Sequence, residues 1–328
     1  MASRARSYNA TRSPSQPRVK ILQIYAERSP LSTYLPSYLS QDVKDRMSRH
    51  GVECIEERLV TDLHEASEGS SGPCVAMNVV GESRSTLAAD YVVMASSTIS
   101  PNTGTAGRSG LELDPSNGGI VVNDTFEACN GVYAAGSCAS YFDKNLGRRR
   151  VNRYDHSVNS GLLAGYNMVS SSEDGTQKAY EHQPAVRSYL GDINVSCESI
   201  GEINSDLSTV GVWISTRNAE GKDLLGDVSC MSPYKRGIVY YLRSNKVVGI
   251  VLWNSGDLLE RARDLIRFNP DVSPSSLKRC IPLAPDDWLV VKEETGKATR
   301  SRLGTEDEKE HLVQVRPIKE IGDGGPPK

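Results

Sequence analysis

The chain has 328 residues, enough for two or three domains with their own cores, and a formal net charge of −3, which excludes a generic nucleic-acid binder and leaves only local basic patches. Its seven cysteines are scattered with no Cys-x-x-Cys pair, which argues against a disulfide framework or a zinc site and for reduced intracellular thiols. No apolar run approaches the ~20 residues of a membrane-spanning helix.

Residues 1–18 carry Arg4, Arg6, Arg12 and Arg18 among serines with no acid, a composition that suits a mitochondrial presequence or a solvated tail. Val19 to Ala26 is predicted as a strand with Glu27 at its end. Glu27 is either a surface residue or, in a nucleotide-binding βαβ unit, an acceptor for ribose hydroxyls. A helix follows, with Ser40 as N-cap, Leu39, Val43 and Met47 on one face and Gly51 as the stop. Val52–Leu63 and Cys74–Val80 read as strands with a turn at 81–83, and Ala89–Ala95 as a buried strand. Gly118–Asn123 leads into a short strand, Val132 to Ala135, which Gly136 ends where the backbone must come close to something. The next helix is predicted near 156–169, with Gly161, Ala164 and Gly165 as small residues that allow close approach of a strand or ligand, and 170–177 as a polar linker. Further on, 199–202, 209–213, 237–242 and 246–254 have the period-two pattern of antiparallel strands. Leu258, Leu259, Ala262, Leu265 and Ile266 mark a helix stopped by Asn269-Pro270. The charged tail, 286–328, is predicted to be disordered.

Three stretches carry a family signature: Leu35-Pro36-Ser37-Tyr38-Leu39-Ser40, Ser100-Pro101-Asn102, and Phe142-Asp143-Lys144-Asn145-Leu146-Gly147-Arg148-Arg149-Arg150-Val151 followed by Asp155-His156. The chain thereby resembles the C-terminal portion of the apoptosis-inducing factor family of mitochondrial flavoproteins. The resemblance implies an α/β plus α+β fold: a partial NAD(H)-binding domain over 19–98, the closing part of an FAD-binding domain over 99–179, and an antiparallel C-terminal (dimerisation) domain over 180–285. It implies FAD and NAD(H) as cofactors that do the hydride chemistry, with no catalytic side chain.

By the same resemblance, Gly136-Ser137 stands where the family has Gly-Asp at the flavin; Ser137 can donate a hydrogen bond but is no anionic acceptor. Arg153 and Tyr154 take the place of two histidines beside the flavin, and Arg187 that of a tryptophan over the nicotinamide. His156 matches the Asp-His signature, and Glu198 and Asn254 match positions near the active site. His156 is otherwise a helix-start histidine pairing with Asp155. Lys144, Arg148, Arg149, Arg150 and Arg153 match a nuclear-import and non-specific DNA-binding segment. A run this dense attracts phosphates without reading bases, or is an exposed loop whose arginines pair with Asp143 and Asp155. The family further implies an NAD(P)H oxidoreductase of the mitochondrial intermembrane space that acts in apoptosis and respiratory-chain upkeep, forms a homodimer, has mitochondrial protein partners and enters the nucleus on release. No Gly-x-Gly-x-x-Gly occurs in the sequence, so this chain alone is expected to hold FAD poorly. The competing reading is a non-catalytic interaction or nucleic-acid-binding relative.

Overall fold

The computed structural model describes residues 8–9, 11, 18–65, 75–80, 84–95, 100–173, 177–214, 232, 234–268, 272, 276–281, 283, 288–294, 297–303 and 311–314. The first unit is a βαβ element. Strand β1 (Ile21–Ile24) pairs in parallel with β2 (Val52–Ile55) across helix α1 (Ser37–Arg49). The helix starts three residues before the expected cap. Pro36 occupies the N-cap position, and Ser40 is buried inside the helix, its hydroxyl bonded to Ser29 Oγ and donating to the Pro30 carbonyl. Pro36 has no N–H to leave unsatisfied, and the Ser37 amide finds the Glu293 carboxylate at 3.1 Å.

The predicted strand over 52–63 is two strands, because Glu57 adopts a left-handed φ of 52° between β2 and β3 (Leu59–Glu65). Strands β3, β4 (Val75–Val80) and β5 (Arg84–Ala89) form an antiparallel meander; the turn predicted at 81–83 lies outside the described residues. The expected buried strand at 89–95 is not formed. Residues 90–95 belong to no strand, and Tyr91, Val93 and Met94 are 91%, 70% and 77% exposed.

The second unit contains a short helix α2 (Gly104–Arg108), then β6 (Ile120–Val121), the hairpin β7 (Glu127–Cys129) and β8 (Val132–Tyr133), and strands β9 (Ala139–Asp143) and β10 (Gly147–Arg150). Helix α3 (Tyr154–Glu173) is longer than predicted and takes in the first residues of the expected linker. Ile120, Val122, Phe126, Ala139, Tyr141, Val151 and Ala164 form the core of this unit.

The third unit is an eight-stranded antiparallel sheet. Its strands are β11 (Ala185–Leu190), β12 (Val195–Gly201), β13 (Ser208–Ile214), β14 (Gly237–Arg243), β15 (Lys246–Trp253), β16 (Trp288–Glu294), β17 (Lys297–Leu303) and β18 (His311–Gln314), in the order 11-12-15-14-13-16-17-18. Helix α4 (Leu259–Phe268) buries Leu259, Ala262 and Ile266 against it. Within the tail expected to be disordered, 288–294, 297–303 and 311–314 are strands; the other residues of 286–328 lie outside the described residues. β16 completes the hydrogen bonding of β13, which would otherwise be an exposed sheet edge, and β17 and β18 continue the ladder.

Helix α1 shares the core of this sheet. Leu35, Leu39 and Val43 belong to one cluster with Trp213, Tyr240, Tyr241, Ile250 and Trp253. Arg46 donates to the Tyr234 carbonyl at 2.7 Å, and the Tyr241 hydroxyl to the Tyr34 carbonyl at 2.7 Å. Burial of each large apolar side chain here contributes roughly 1.5–3 kcal/mol.

Gly249 in β15 faces the Glu202 carbonyl so closely that a β-carbon would overlap it, whereas one at Gly165 in α3 meets nothing within 4 Å. Gly249→Ala should therefore lower unfolding free energy by about 2–4 kcal/mol, and Gly165→Ala should raise it by about 0.5–1 kcal/mol. Urea denaturation of both variants checks this; an unperturbed Gly249→Ala would contradict the β12–β15 packing.

Candidate functional site

The site is built on the turn between β8 and β9. Gly136 has a φ of +74°, a conformation that favours glycine, and begins a single 3-10 turn, Gly136–Cys138. Its amide donates to Ser160 Oγ at 2.9 Å, and that hydroxyl donates to the His156 carbonyl at 2.6 Å. The turn is thus fixed to the first two turns of α3. Among the described residues, no strand makes at Gly161 or Gly165 the close approach that small residues there would allow. A β-carbon at either meets nothing within 4 Å, and they lie with the exposed Val158 and Leu162, while Ala164 is buried in the core.

His156 is fully buried. Its ring stacks on Tyr141 with centroids 5.1 Å apart and shares a 2.9 Å hydrogen bond between Nδ1 and the Tyr180 hydroxyl. Burial lowers its pKa from 6.5 to about 4, outweighing the opposing influence of the Gly136 backbone, so the ring is neutral at pH 7. In this structure the ring lies among aromatic side chains with no exposed surface, and its hydrogen-bond partner is Tyr180, not the Asp155 expected of a helix-start pair. The Asp155 carboxylate instead accepts from the His156 amide at 2.8 Å, the Ala185 amide at 2.8 Å and His182 Nε2 at 3.2 Å.

Around the same turn, Ser137 is half-buried and its carbonyl accepts from Arg150 Nη1 at 3.0 Å. Arg153 and Tyr154 stand in solvent at the start of α3, with Tyr154 86% exposed. Glu198 and Asn254 come together at Ser196 on β12. The Ser196 hydroxyl donates to Glu198 at 3.0 Å, and its amide to Asn254 Oδ1 at 2.7 Å. Asn254 also donates to the Lys235 carbonyl at 2.6 Å, so its amide group is occupied by backbone. Glu198 is buried against Gly256, and the exposed Arg187 is its cross-strand neighbour on β11. Strand β1 stops at Ile24, short of the predicted Ala26, so Glu27 lies in the loop three residues beyond it, exposed, with Thr33 Oγ1 at 3.5 Å.

The three consecutive arginines do not lie in a loop. They belong to strand β10, and their guanidinium groups hold backbone carbonyls: Arg148 those of Val122 and Ser140, Arg149 that of Gly201, Arg150 that of Ser137. Lys144, Arg148 and Arg153 are exposed, and Arg149 and Arg150 are half-buried. An open groove of about 330 Å³ lined by Val121, Asn123, Glu127, Cys129 and Arg148 includes none of the residues of the Gly136 turn. Among the described residues, no group of three or more His, Cys, Asp or Glu side chains is placed to hold a metal ion, and no helix is long and apolar enough to cross a membrane.

Sequence reading missed Tyr180, His182, Ser160 and the strand β11. The one available signal was the four-residue spacing of His156 and Ser160 on a helix.

The buried His156 sets a pH dependence. Between about pH 6.5 and 4 the unfolded chain takes up a proton that the folded chain refuses, so stability falls as pH falls through this window. The loss is on the order of 3 kcal/mol. In His156→Gln the slope of unfolding free energy against pH over this range should flatten, as measured by urea titration at each pH; an unchanged slope would assign the effect elsewhere.

Two family models match the chain: pyridine nucleotide-disulphide oxidoreductase over residues 1–161, and the C-terminal domain of mitochondrion-associated apoptosis-inducing factor over 164–230 and 222–268. The mitochondrial apoptosis-inducing factor 1 of Drosophila melanogaster is 34% identical over 76% of this chain and 36% of its own length. That of Dictyostelium discoideum is 36% identical over 76% of this chain and 43% of its own. The chain therefore spans about two fifths of the length of these curated relatives. Among solved structures, the ferredoxin reductase for the CYP199A2 system from Rhodopseudomonas palustris superposes with a TM-score of 0.60 at 19% identity, covering 79% of this chain and 56% of that one. An engineered water-forming NADPH oxidase superposes with a TM-score of 0.61 at 16% identity, covering 87% and 59%. These likenesses carry the flavoprotein-reductase fold, and with the relatives and the C-terminal domain they establish that the chain belongs to the apoptosis-inducing factor family.

Proposed function

We propose that the chain provides the flavin-closing turn and the C-terminal domain of a mitochondrial, apoptosis-inducing-factor-like, FAD-dependent NAD(P)H oxidoreductase. The observation that carries this reading is the left-handed Gly136 turn bonded to the start of α3, next to the exposed Arg153 and Tyr154. A turn and a helix N-terminus so placed suit the polar end of a flavin. FAD, when bound, supplies the hydride chemistry. The chain's own residues would bind and orient it: Ser137 by its hydroxyl and Tyr154 by its exposed ring. Arg187 and Glu198, neighbours across β11 and β12, are the polar groups the C-terminal domain offers to a nicotinamide. The acid-free arginine and serine composition of residues 1–18 and the mitochondrial names of the relatives support the compartment. Residence in the intermembrane space, nuclear entry on release, homodimerisation, mitochondrial protein partners and a role in apoptosis and respiratory-chain upkeep belong to the same proposal.

The residues present fit the flavin end of FAD and no more. A dinucleotide's pyrophosphate needs a glycine turn at a helix N-terminus, and the sequence has no Gly-x-Gly-x-x-Gly. Ser137 in place of a carboxylate removes a charge-assisted contact of about 1.5–3 kcal/mol. The second reading, an interaction module, is favoured by the continuous core of the C-terminal sheet, which requires no cofactor, and by the cations of Lys144 and Arg153 for phosphate contacts.

The full 1–328 chain, expressed without added flavin, should purify colourless, bind added FAD weakly by flavin fluorescence anisotropy, and consume little NADH. A complete lack of binding at about 1 mM FAD, an affinity threshold of roughly −4 kcal/mol, would favour the interaction module. A yellow protein with stoichiometric flavin and steady turnover would overturn the view that only the flavin end is held.

A further inference from the structure

Beyond the residues facing solvent at the turn, a continuous set of hydrogen bonds runs from the Gly136 amide into the C-terminal sheet. Gly136 N–H reaches Ser160 Oγ at 2.9 Å, and Ser160 the His156 carbonyl at 2.6 Å. The His156 ring is held on its Nδ1 side by Tyr180, while Tyr180's own amide donates to the Asp124 carbonyl at 2.8 Å. The preceding residue of α3, Asp155, takes both the His182 ring and the amide of Ala185, the first residue of β11. Lateral support for the first turn of α3 thus comes from the connector 180–185. That connector leads directly into the strand whose Arg187 neighbours Glu198.

We propose that Tyr180 and His182 are positioning residues for the Gly136–Ser137 turn, acting through His156, Asp155 and the first turns of α3. The flavin role of that turn rests on the function proposed above; the linkage stands on the geometry alone. Its parts are suited to transmitting displacement. His156 is fully buried, stacked on Tyr141 and met edge-on by Tyr180, which leaves little room for its ring to absorb a shift. The helix between His156 and Ser160 is a single rigid turn. The ionisable groups acting on His156 are Asp155 of α3, Arg149 of β10 and His182 of the connector, and those acting on Tyr180 also include Tyr141 and Asp143 of β9. A movement of β11 on engagement of its exposed face would therefore be felt at the turn.

The test uses the isotopically labelled 1–328 chain with Tyr180→Phe and His182→Gln. Amide exchange and the ring nitrogen shifts of His156 are measured by NMR. The expected result is about a tenfold loss of protection at Gly136, a changed His156 tautomer balance in Tyr180→Phe, and unchanged protection of Ile250 in β15. Ser160→Ala serves as the positive control for loss of protection at Gly136. Unchanged Gly136 protection in both variants would overturn the proposal, as would a parallel loss at Gly136 and Ile250, which is the mark of general destabilisation. Should Tyr180→Phe fail to fold, His182→Gln decides by the same exchange readout. FAD titration of the same samples separates the two ideas: absent binding by the unaltered chain counts against the proposed function, while the exchange data still decide the linkage.

Discussion

The carboxylate of Asp155 is the joint on which the arrangement of this chain depends. It accepts the amide of its own helix neighbour His156 and, across the chain, the Ala185 amide and the His182 ring. Hydrogen bonds to an ionised acceptor are shorter and stronger than those between neutral groups, and one carboxylate here ties the start of α3 to the start of the C-terminal sheet. Asp143 does the same one layer away. Its carboxylate accepts from the Asn145 and Leu146 amides and from Gln183 Nε2, and Asn145 in turn donates to the carbonyls of Ile266 and Arg267 at the end of α4. Two acids in the signature stretch thus serve as structural acceptors, and replacing either would leave several buried or partly buried donors unmatched at once.

What the sequence made legible follows from which residues have only one physical use. Gly136 was readable because a left-handed φ at the end of an apolar strand suits glycine, and the structure has that φ. The strands at 209–213, 237–242 and 246–254 were readable because alternation over half a dozen residues fits little else; β13 and β14 contain the first two, and β15 ends one residue short of the third, at Trp253. Other residues owe their roles to partners distant in sequence. His156 looked like a ligand-facing histidine because Tyr141 and Tyr180, which enclose it, lie 15 and 24 positions away. The three arginines looked like a solvated cationic run because their carbonyl acceptors at Val122, Ser137 and Gly201 are backbone atoms that no motif records. The tail looked disordered because its charges mask the run Trp288-Leu289-Val290-Val291, whose strand forms only when β13 offers an edge.

The aromatic residues between α1 and the sheet show how a chain with only 6% aromatics places them. Tyr38 meets Trp213 edge-on at 6.3 Å and Tyr234 at 5.0 Å, and Trp213 meets Trp253 at 6.4 Å. Each contact of this kind adds about 0.5–1.5 kcal/mol beyond simple burial. Trp253 keeps its indole N–H satisfied by the Tyr234 carbonyl at 3.1 Å, so the ring is buried without stranding its donor. The cluster makes α1 a part of the C-terminal core although the helix belongs, by its strand pairing, to the βαβ unit.

That sharing has a consequence for the order of events during synthesis. The hydroxyl of Tyr241 meets the Tyr34 carbonyl across 207 positions, and the Glu293 carboxylate meets the Ser37 amide across 256. Helix α1 therefore leaves the ribosome long before the sheet that will cover Leu35, Leu39 and Val43 has been made. At about 5–20 residues per second, the interval is on the order of 10–50 s. Throughout it the apolar stripe of α1 is a free surface, and the loop that must close is among the longest the chain can form. High contact order of this kind slows folding and lengthens exposure to aggregation. The same docking that unifies the finished core makes the nascent chain a natural client for a chaperone.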